Sequence, residues 1–215
     1  MDVSESGPVV FVVDDDSDVR SSLTRLLRSA GRRVEAFASG REFLERAARD
    51  AHGCLVADVR LPDGDGLSLL GMLRGAGFSL PVVFITGWDD VATGVRAMKV
   101  GAEDYLLKPL SETTFLNAVE RAIQRDAERR KDWSERANLL RRYATLTERE
   151  RQVFALLVKG LRNKQIAGQL GTTERTIKVH RSRIMQKMGA GSLAELVRGA
   201  DRLGLGEAPV PPPVR

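Results

Sequence analysis

Asp58 closes a short apolar run, Cys54-Leu55-Val56-Ala57, and the turn residues Pro62, Gly64 and Gly66 follow at once. An apolar run of this length between turn signals reads as a buried strand. Three other short strand-like stretches end in polar residues in the same way. Val9–Val13 ends in Asp14-Asp15-Asp16, Pro81–Ile85 in Thr86-Gly87, and Asp104–Leu107 in Lys108-Pro109. The C-terminal ends of parallel strands share one edge, so Asp14, Asp15, Asp58, Thr86 and Lys108 are expected to converge there. Clustered carboxylates repel and raise one another's pKa unless a cation intervenes. Hard oxygen ligands at an open site suit magnesium, which keeps waters and accepts phosphoryl oxygens. With a metal present, Asp58 can attack phosphorus and form an aspartyl phosphate. Lys108 and Thr86 would then bind the new phosphoryl oxygens. Taken singly, each of these residues reads only as the end of a strand. Coincidence is a poor account of the whole set, each member behind its own apolar run.

The elements that place these residues follow from the pattern between them. Ser17 is expected to cap a helix with Val19, Leu23, Leu26 and Leu27 on its apolar face, ending at Gly31. Val34–Phe37 reads as a short strand nearer the edge of a sheet. A second helix starts at Ser39 with Phe43, Leu44 and Ala47 inward, and the strand Leu55–Asp58 comes next. A third helix follows Gly66, with Leu67, Leu70 and Leu73 on one face, and a fourth runs from about Asp90 to Val100, with Val91, Val95 and Met98 on one face. A fifth opens at Ser111 or Glu112 and carries Phe115, Val119, Ala122 and Ile123. Strands alternating with helices imply a parallel sheet covered on both faces, and 2-1-3-4-5 is the usual order for five strands.

The chain has 215 residues, 42% hydrophobic and 29% charged, as in a globular protein of one or two domains. The single cysteine, Cys54, excludes an internal disulfide, and the two histidines, His52 and His180, are too far apart in sequence to suggest zinc. Cys54 and His52 read as structural. No apolar run reaches the ~20 residues of a membrane span, and the start lacks the form of a signal peptide, so a cytoplasmic protein without a membrane partner is expected. The net charge of +5 conceals two unlike halves. Residues 1–125 hold 15 Lys+Arg against 19 Asp+Glu, a net −4, and residues 126–215 hold 19 against 10, a net +9. A basic half of this kind suggests nucleic acid, with a merely solvated basic surface as the alternative.

That basic half is expected to be helical. Residues 126–144 contain no proline or glycine and read as a charged helical linker, either exposed alone or paired with a second subunit. Thr147 and Glu150 have the spacing of a capping box, ahead of Val153, Phe154, Leu156 and Leu157. Asn163 is expected to cap the next helix, with Ile166, Ala167 and Leu170 inward. Thr173 caps a third over Glu174–Met188, with Ile177, Ile184 and Met188 inward, and Ser192 starts a fourth with Leu193, Leu196 and Val197. Asn163 to Arg183 therefore reads as a helix-turn-helix, whose second helix would enter the major groove by its N-terminal part. Its outward face holds Arg175, Thr176, Lys178, Val179, Ser182 and Arg183. Lys178 and Arg183 can reach phosphates or guanine edges, and Val179 a thymine methyl. The N-terminal turn at Glu174–Thr176 offers free backbone N–H groups to a phosphate. A small helical protein-binding domain is the competing reading. The tail from Gly206 is proline-rich and reads as disordered.

The motifs VVDDD, LVADVRLPDGDG, FITG and LLKP resemble those of the receiver domains of two-component response regulators. LTERERQVFALLVKGLRNKQIAGQLGTTERTIKVHRSRIMQKMGAGSLAELV is similar to LuxR-type DNA-binding domains. Together the halves resemble the FixJ/NarL family. The resemblance implies an α/β flavodoxin-like receiver at 8–125 and a linker at 126–144. An all-α, four-helix LuxR-type helix-turn-helix domain would follow at 145–205, with a disordered tail at 206–215. It implies that Asp58 is the phosphoacceptor, and that Asp15, Asp58 and the Arg60 backbone carbonyl ligate Mg²⁺ with Asp14 assisting. Thr86 would be the switch hydroxyl, Tyr105 the aromatic that rotates inward, and Lys108 the phosphoryl-binding lysine before a cis proline. Lys178, Val179 and Ser182 would face bases. Thr176, His180 and Arg183 would lie nearer the backbone, with Asn163, Lys164, Thr173 and Arg175 completing the DNA-contacting set. The last helix would join two DNA-binding domains. Arg60 and Trp88 flank the site, where they either tune phosphoryl lifetime or, for Trp88, form only a surface loop. Asp65 stands where FixJ-like receivers often have a small hydroxyl residue.

The implied protein is a transcription regulator, and an activator by the habit of the family. A sensor histidine kinase would phosphorylate it, and it would dimerise on phosphorylation and bind palindromic double-stranded promoter DNA, with RNA polymerase as a further partner. A phosphohydrolase is the first rival, but Arg60 stands where a second, general-acid aspartate would be needed. The other rival is a DNA-binding regulator with a degenerate receiver that works without phosphorylation.

Overall fold

The computed structural model describes residues 7–62, 64–87 and 91–205. Trp88, Asp90 and the tail 206–215 lie outside the described residues, as do the side chains of Asp65, Leu67 and Val91. The chain divides between residues 130 and 131 into two compact units. No helix among the described residues is long and apolar enough to cross a membrane.

In the first unit, β1 (Val9–Val13), β2 (Arg33–Phe37), β3 (Gly53–Asp58), β6 (Val82–Thr86) and β7 (Asp104–Leu107) form one parallel sheet in the order β2-β1-β3-β6-β7. The strands β4 (Arg60–Leu61) and β5 (Gly64–Asp65) pair separately, as a short antiparallel ribbon. Without that ribbon, the strands of the sheet stand in the expected 2-1-3-4-5 order. Alternation along β1 sends side chains to opposite faces. Phe11 and Val13 join Phe37, Phe43, Leu70, Leu73 and Phe78 on one face. Val10 and Val12 join Leu23, Leu27, Phe115 and Val119 on the other. The helices α1 (Ser17–Ser29), α2 (Gly40–Arg46), α3 (Gly66–Gly75) and α4 (Val91–Lys99), with the start of α5 (Glu112–Ala144), cover the sheet.

Three local expectations are corrected. α1 is capped by Asp16, whose carboxylate accepts from the N–H groups of Asp18 and Val19, so Ser17 is already helical. β3 starts at Gly53 rather than Leu55. Gly53 has φ 130°, and a Cβ there would lie 1.9 Å from the Val9 carbonyl oxygen, so only glycine fits this entry to the strand. In α4, Val95 and Met98 are 49% and 50% exposed, while Ala97 is packed into the core.

The second unit is helical. Its core joins α6 (Glu148–Val158), α7 (Asn163–Gln169), α8 (Glu174–Met188) and α9 (Leu193–Leu203) through Val153, Phe154, Leu157, Ile166, Ile177, Ile184, Met188, Leu196 and Ala200. Thr147 and Glu150 form the full capping box of α6. α7 begins one residue earlier than expected, because Arg162 occupies the cap and Asn163 is already its first helical residue. An arginine side chain has no acceptor. The cap is closed instead by Gln165 Oε1, which accepts from the Arg162 N–H at 2.9 Å.

Candidate functional site

The sheet register assembles the acidic rim. Val13 pairs with Ala57, so Asp14 and Asp58 leave neighbouring strands side by side. Asp58 pairs with Ile85, and Thr86 with Leu107, which brings Thr86 and Lys108 to the same edge. Asp14 and Thr86 are each only 1% exposed. Lys108 Nζ donates to Asp58 Oδ2 at 2.8 Å and to Asp14 Oδ2 at 3.2 Å, bridging β1 and β3 from the end of β7. The other oxygen of Asp58, Oδ1, accepts from the Arg60 N–H at 2.9 Å. The Lys108–Pro109 peptide bond is cis. Tyr105 is half-buried, and its ring lies against α4 where a Cβ on Gly94 would come within 3.2 Å.

Burial disfavours ionised Asp14 and raises its pKa, despite the opposing charge and hydrogen bond of Lys108. Burial also works against the Lys108 ammonium. The hydrogen bond and charge of Asp58, followed by those of Asp14, outweigh it and hold the lysine above its ordinary value. Lys108 therefore stays cationic and pinned between two carboxylates. Burial pushes the Cys54 thiol up to about 12, in keeping with a structural residue.

Among the described residues, no three His, Cys, Asp or Glu side chains gather round one point. The three rim carboxylates are thus not a compact cluster. Asp14 turns inward, to Lys108 and to the Asp16 N–H at 2.9 Å, while the neighbouring Asp15 is exposed at the rim. Magnesium fits this set in its donor chemistry, because two carboxylates, a carbonyl and waters satisfy it without a third side chain.

In the second unit, α8 buries Ile177, Ile184 and Met188 and turns Arg175, Lys178, Val179, Ser182 and Arg183 outward. Thr176 and His180 are half-buried. Thr173 caps the helix by accepting from the Thr176 N–H at 3.2 Å, and the two hydroxyls lie 3.0 Å apart. Lys164 is exposed and Asn163 half-buried at the start of α7. Asn163, Lys178 and Ser182 line a shallow surface depression with Arg181 and Met185, two residues not anticipated from the sequence. Basic residues at three-residue spacing, Arg175-Lys178-Arg181, are the signal that would have found Arg181. At the far end of α8, Lys187 Nζ donates to the buried Glu150 at 2.6 Å and to the Thr145 carbonyl at 3.0 Å.

Residues 10–120 match the response regulator receiver domain, and residues 144–200 match the luxR family of bacterial regulatory proteins. Nodulation protein W of Bradyrhizobium diazoefficiens is 46% identical over 92% of this chain and 87% of its own length. The transcriptional regulatory protein FixJ of Azorhizobium caulinodans is 44% identical over 95% and 96% of the two chains. Among solved structures, that of response regulator StyR superposes with a TM-score of 0.80 at 47% identity, covering 91% of this chain and 98% of the other. Full-length FixJ from B. japonicum gives 0.58 at 40% identity, covering 93% and 98%. Likeness at this level, running through both units, makes the chain a member of the two-component response regulators that join a receiver domain to a LuxR-type DNA-binding domain.

Proposed function

We propose that Asp58 is the phosphoacceptor of this response regulator and that a sensor histidine kinase supplies the phosphoryl group. The observation that carries this reading is the single ammonium of Lys108 held between Asp58 and Asp14 at the strand edge. A carboxylate oxygen of Asp58 attacks phosphorus as the donor's phosphorus–nitrogen bond breaks. Lys108 is already in place to meet the phosphoryl oxygens. Asp15, Asp58 and the Arg60 carbonyl would hold Mg²⁺, with Asp14 assisting. The ion supplies positive charge against the transferring group.

Thr86 and Tyr105 form the switch in this reading. The exposed apolar residues Val95 and Met98 on α4 and Leu107 on β7 supply the face through which two receivers pair. Residues 8–125 act as the receiver, 126–144 as the linker and 145–205 as the reader of double-stranded promoter DNA. A dimer presents two recognition helices to a palindromic site. Lys178, Val179 and Ser182 meet bases. Thr176, His180 and Arg183 lie nearer the sugar–phosphate backbone, and Asn163, Lys164, Thr173 and Arg175 complete the DNA-contacting set. The protein acts in the cytoplasm as a transcription activator working with RNA polymerase, and it is not a turnover enzyme.

The test is labelling by acetyl phosphate with DNA binding measured in parallel. Wild type takes up one phosphoryl group and binds its site more tightly. Asp58→Asn does neither. Undiminished labelling of that variant would overturn the assignment. Equal DNA affinity with and without acetyl phosphate would favour a regulator that works without phosphorylation.

A further inference from the structure

The turn Asp14–Asp16, between β1 and α1, is tied down by almost every polar group it has. The Asp14 N–H donates to the Phe37 carbonyl at 3.3 Å. The Asp14 carboxylate takes the Asp16 N–H on one oxygen and Lys108 on the other. Asp16 caps α1, and its own carbonyl accepts from the Arg20 N–H at 2.9 Å. The carbonyls of Asp14 and Asp15 remain, and one side chain satisfies both. Arg20 folds back from the first turn of α1 and sends Nη1 to the Asp14 carbonyl at 2.6 Å and to the Asp15 carbonyl at 3.3 Å. The carboxylate of Asp15 makes no hydrogen bond or ion pair among the described residues and stands exposed at the rim.

We propose that Arg20 is a positioning residue for the divalent cation: by clamping the Asp14 and Asp15 carbonyls, it fixes the backbone from which the Asp15 carboxylate reaches the metal. The proposal rests on the reading of the Asp58 rim as a magnesium and phosphoryl site. Its force comes from two opposed effects of one side chain. As a nearby cation, Arg20 repels a bound cation, so its removal acting through charge alone would tighten Mg²⁺ binding by about two- to threefold at a screened, half-exposed site. As an anchor behind a ligand, its loss weakens binding, because such outer partners are worth about 10- to 100-fold in metal affinity. Positioning therefore predicts the opposite sign from electrostatics, and the larger magnitude. Lysine keeps the charge, but its ammonium sits on a flexible stem and holds the two carbonyls less rigidly than a guanidinium.

Mg²⁺ binding is measured by calorimetry on the full chain for wild type, Arg20→Ala and Arg20→Lys, with circular dichroism and urea midpoints to report folding. Arg20→Ala weakens Mg²⁺ binding about tenfold and shifts the Mg²⁺ dependence of acetyl-phosphate labelling by the same factor, leaving the plateau near wild type. Arg20→Lys falls between. Unchanged or tighter Mg²⁺ binding by a folded Arg20→Ala overturns the proposal. If that variant does not fold, wild-type affinity in Arg20→Lys overturns it and a severalfold loss supports it. A wild type that binds Mg²⁺ and is labelled only with Asp58 intact secures the reading beneath, so a null result in the variants then counts against Arg20 alone. A wild type with neither property overturns both.

Discussion

Asp126 is a carboxylate at the foot of the sheet, only 3% exposed, and its replacement should cost the first unit much of its stability. Its Oδ2 accepts from the Gly53 N–H at 3.0 Å and from Arg130 Nε at 2.9 Å. Arg130 also donates to the carbonyls of Asp50, at 3.0 Å, and Ala51. One carboxylate thus secures the loop that feeds β3, in the strand ending at Asp58. Asp126→Ala leaves the Gly53 N–H buried without a partner, at about 1–3 kcal/mol. It also strips Arg130 of its counter-ion. Breaking a buried pair costs about 3–5 kcal/mol, but the Arg130 side chain is 27% exposed and water recovers part of that loss. The expected total is about 2–4 kcal/mol, or roughly 6–14 °C in the Tm of a unit this size. Asp126→Asn keeps an acceptor for Gly53 and should lose about 1–2 kcal/mol. Urea unfolding followed by circular dichroism, with hydrogen exchange at the Gly53 amide, reports both effects. Acetyl-phosphate labelling of the folded fraction should not change, because Asp58 lies five residues along the strand, roughly 17 Å away. Wild-type midpoints and unaltered Gly53 exchange in Asp126→Ala would refute the argument.

Two further outcomes concern the second unit. The Lys187 hydrogen bond, against some opposition from burial, holds the Glu150 carboxyl below its ordinary 4.5. A lowered carboxyl value stabilises the fold above the unfolded value, and that contribution is lost as pH falls through the folded one. Unfolding midpoints of the second unit should therefore drop as pH falls below about 4.5, and Glu150→Gln should flatten that drop; an equal slope in the variant would count against the pair. Lys178→Ala should cost about 1–3 kcal/mol on the specific DNA site and far less on random sequence, as read by competition binding at fixed salt. Equal losses on both would move Lys178 from a base edge to the phosphates.

The rim is legible because its residues stand at the C-terminal ends of short, mostly apolar strands, and a parallel sheet leaves one edge for such residues to share. What escaped reading involved geometry rather than residue type. Gly53 looks like a breaker before a strand, but it belongs to the strand, because a backbone approach there forbids a Cβ. Asp126 stands in a charged stretch and reads as linker until its partner, 73 residues earlier, is brought against it. The apolar spacing of Val95 and Met98 suggested an inward face, yet the core took the smaller Ala97. Adjacent aspartates look equivalent in a sequence, while a fold can turn Asp14 inward and leave Asp15 at the surface.

The tie between Glu150 and Lys187 bears on how such a protein can change its targets over evolutionary time. Glu150 belongs to the start of α6 and Lys187 to the last turn of α8, so α8 is supported at its C-terminal end, away from the N-terminal residues proposed to face DNA. Arg175, Lys178, Val179, Ser182 and Arg183 are exposed and take no part in that support. Surface substitutions of this kind usually stay within about 0.5 kcal/mol of neutral. Duplicated copies can therefore diverge in the operators they recognise without first acquiring compensating changes in the scaffold, and a mutation that alters a binding site can be met by a single exchange on the outward face.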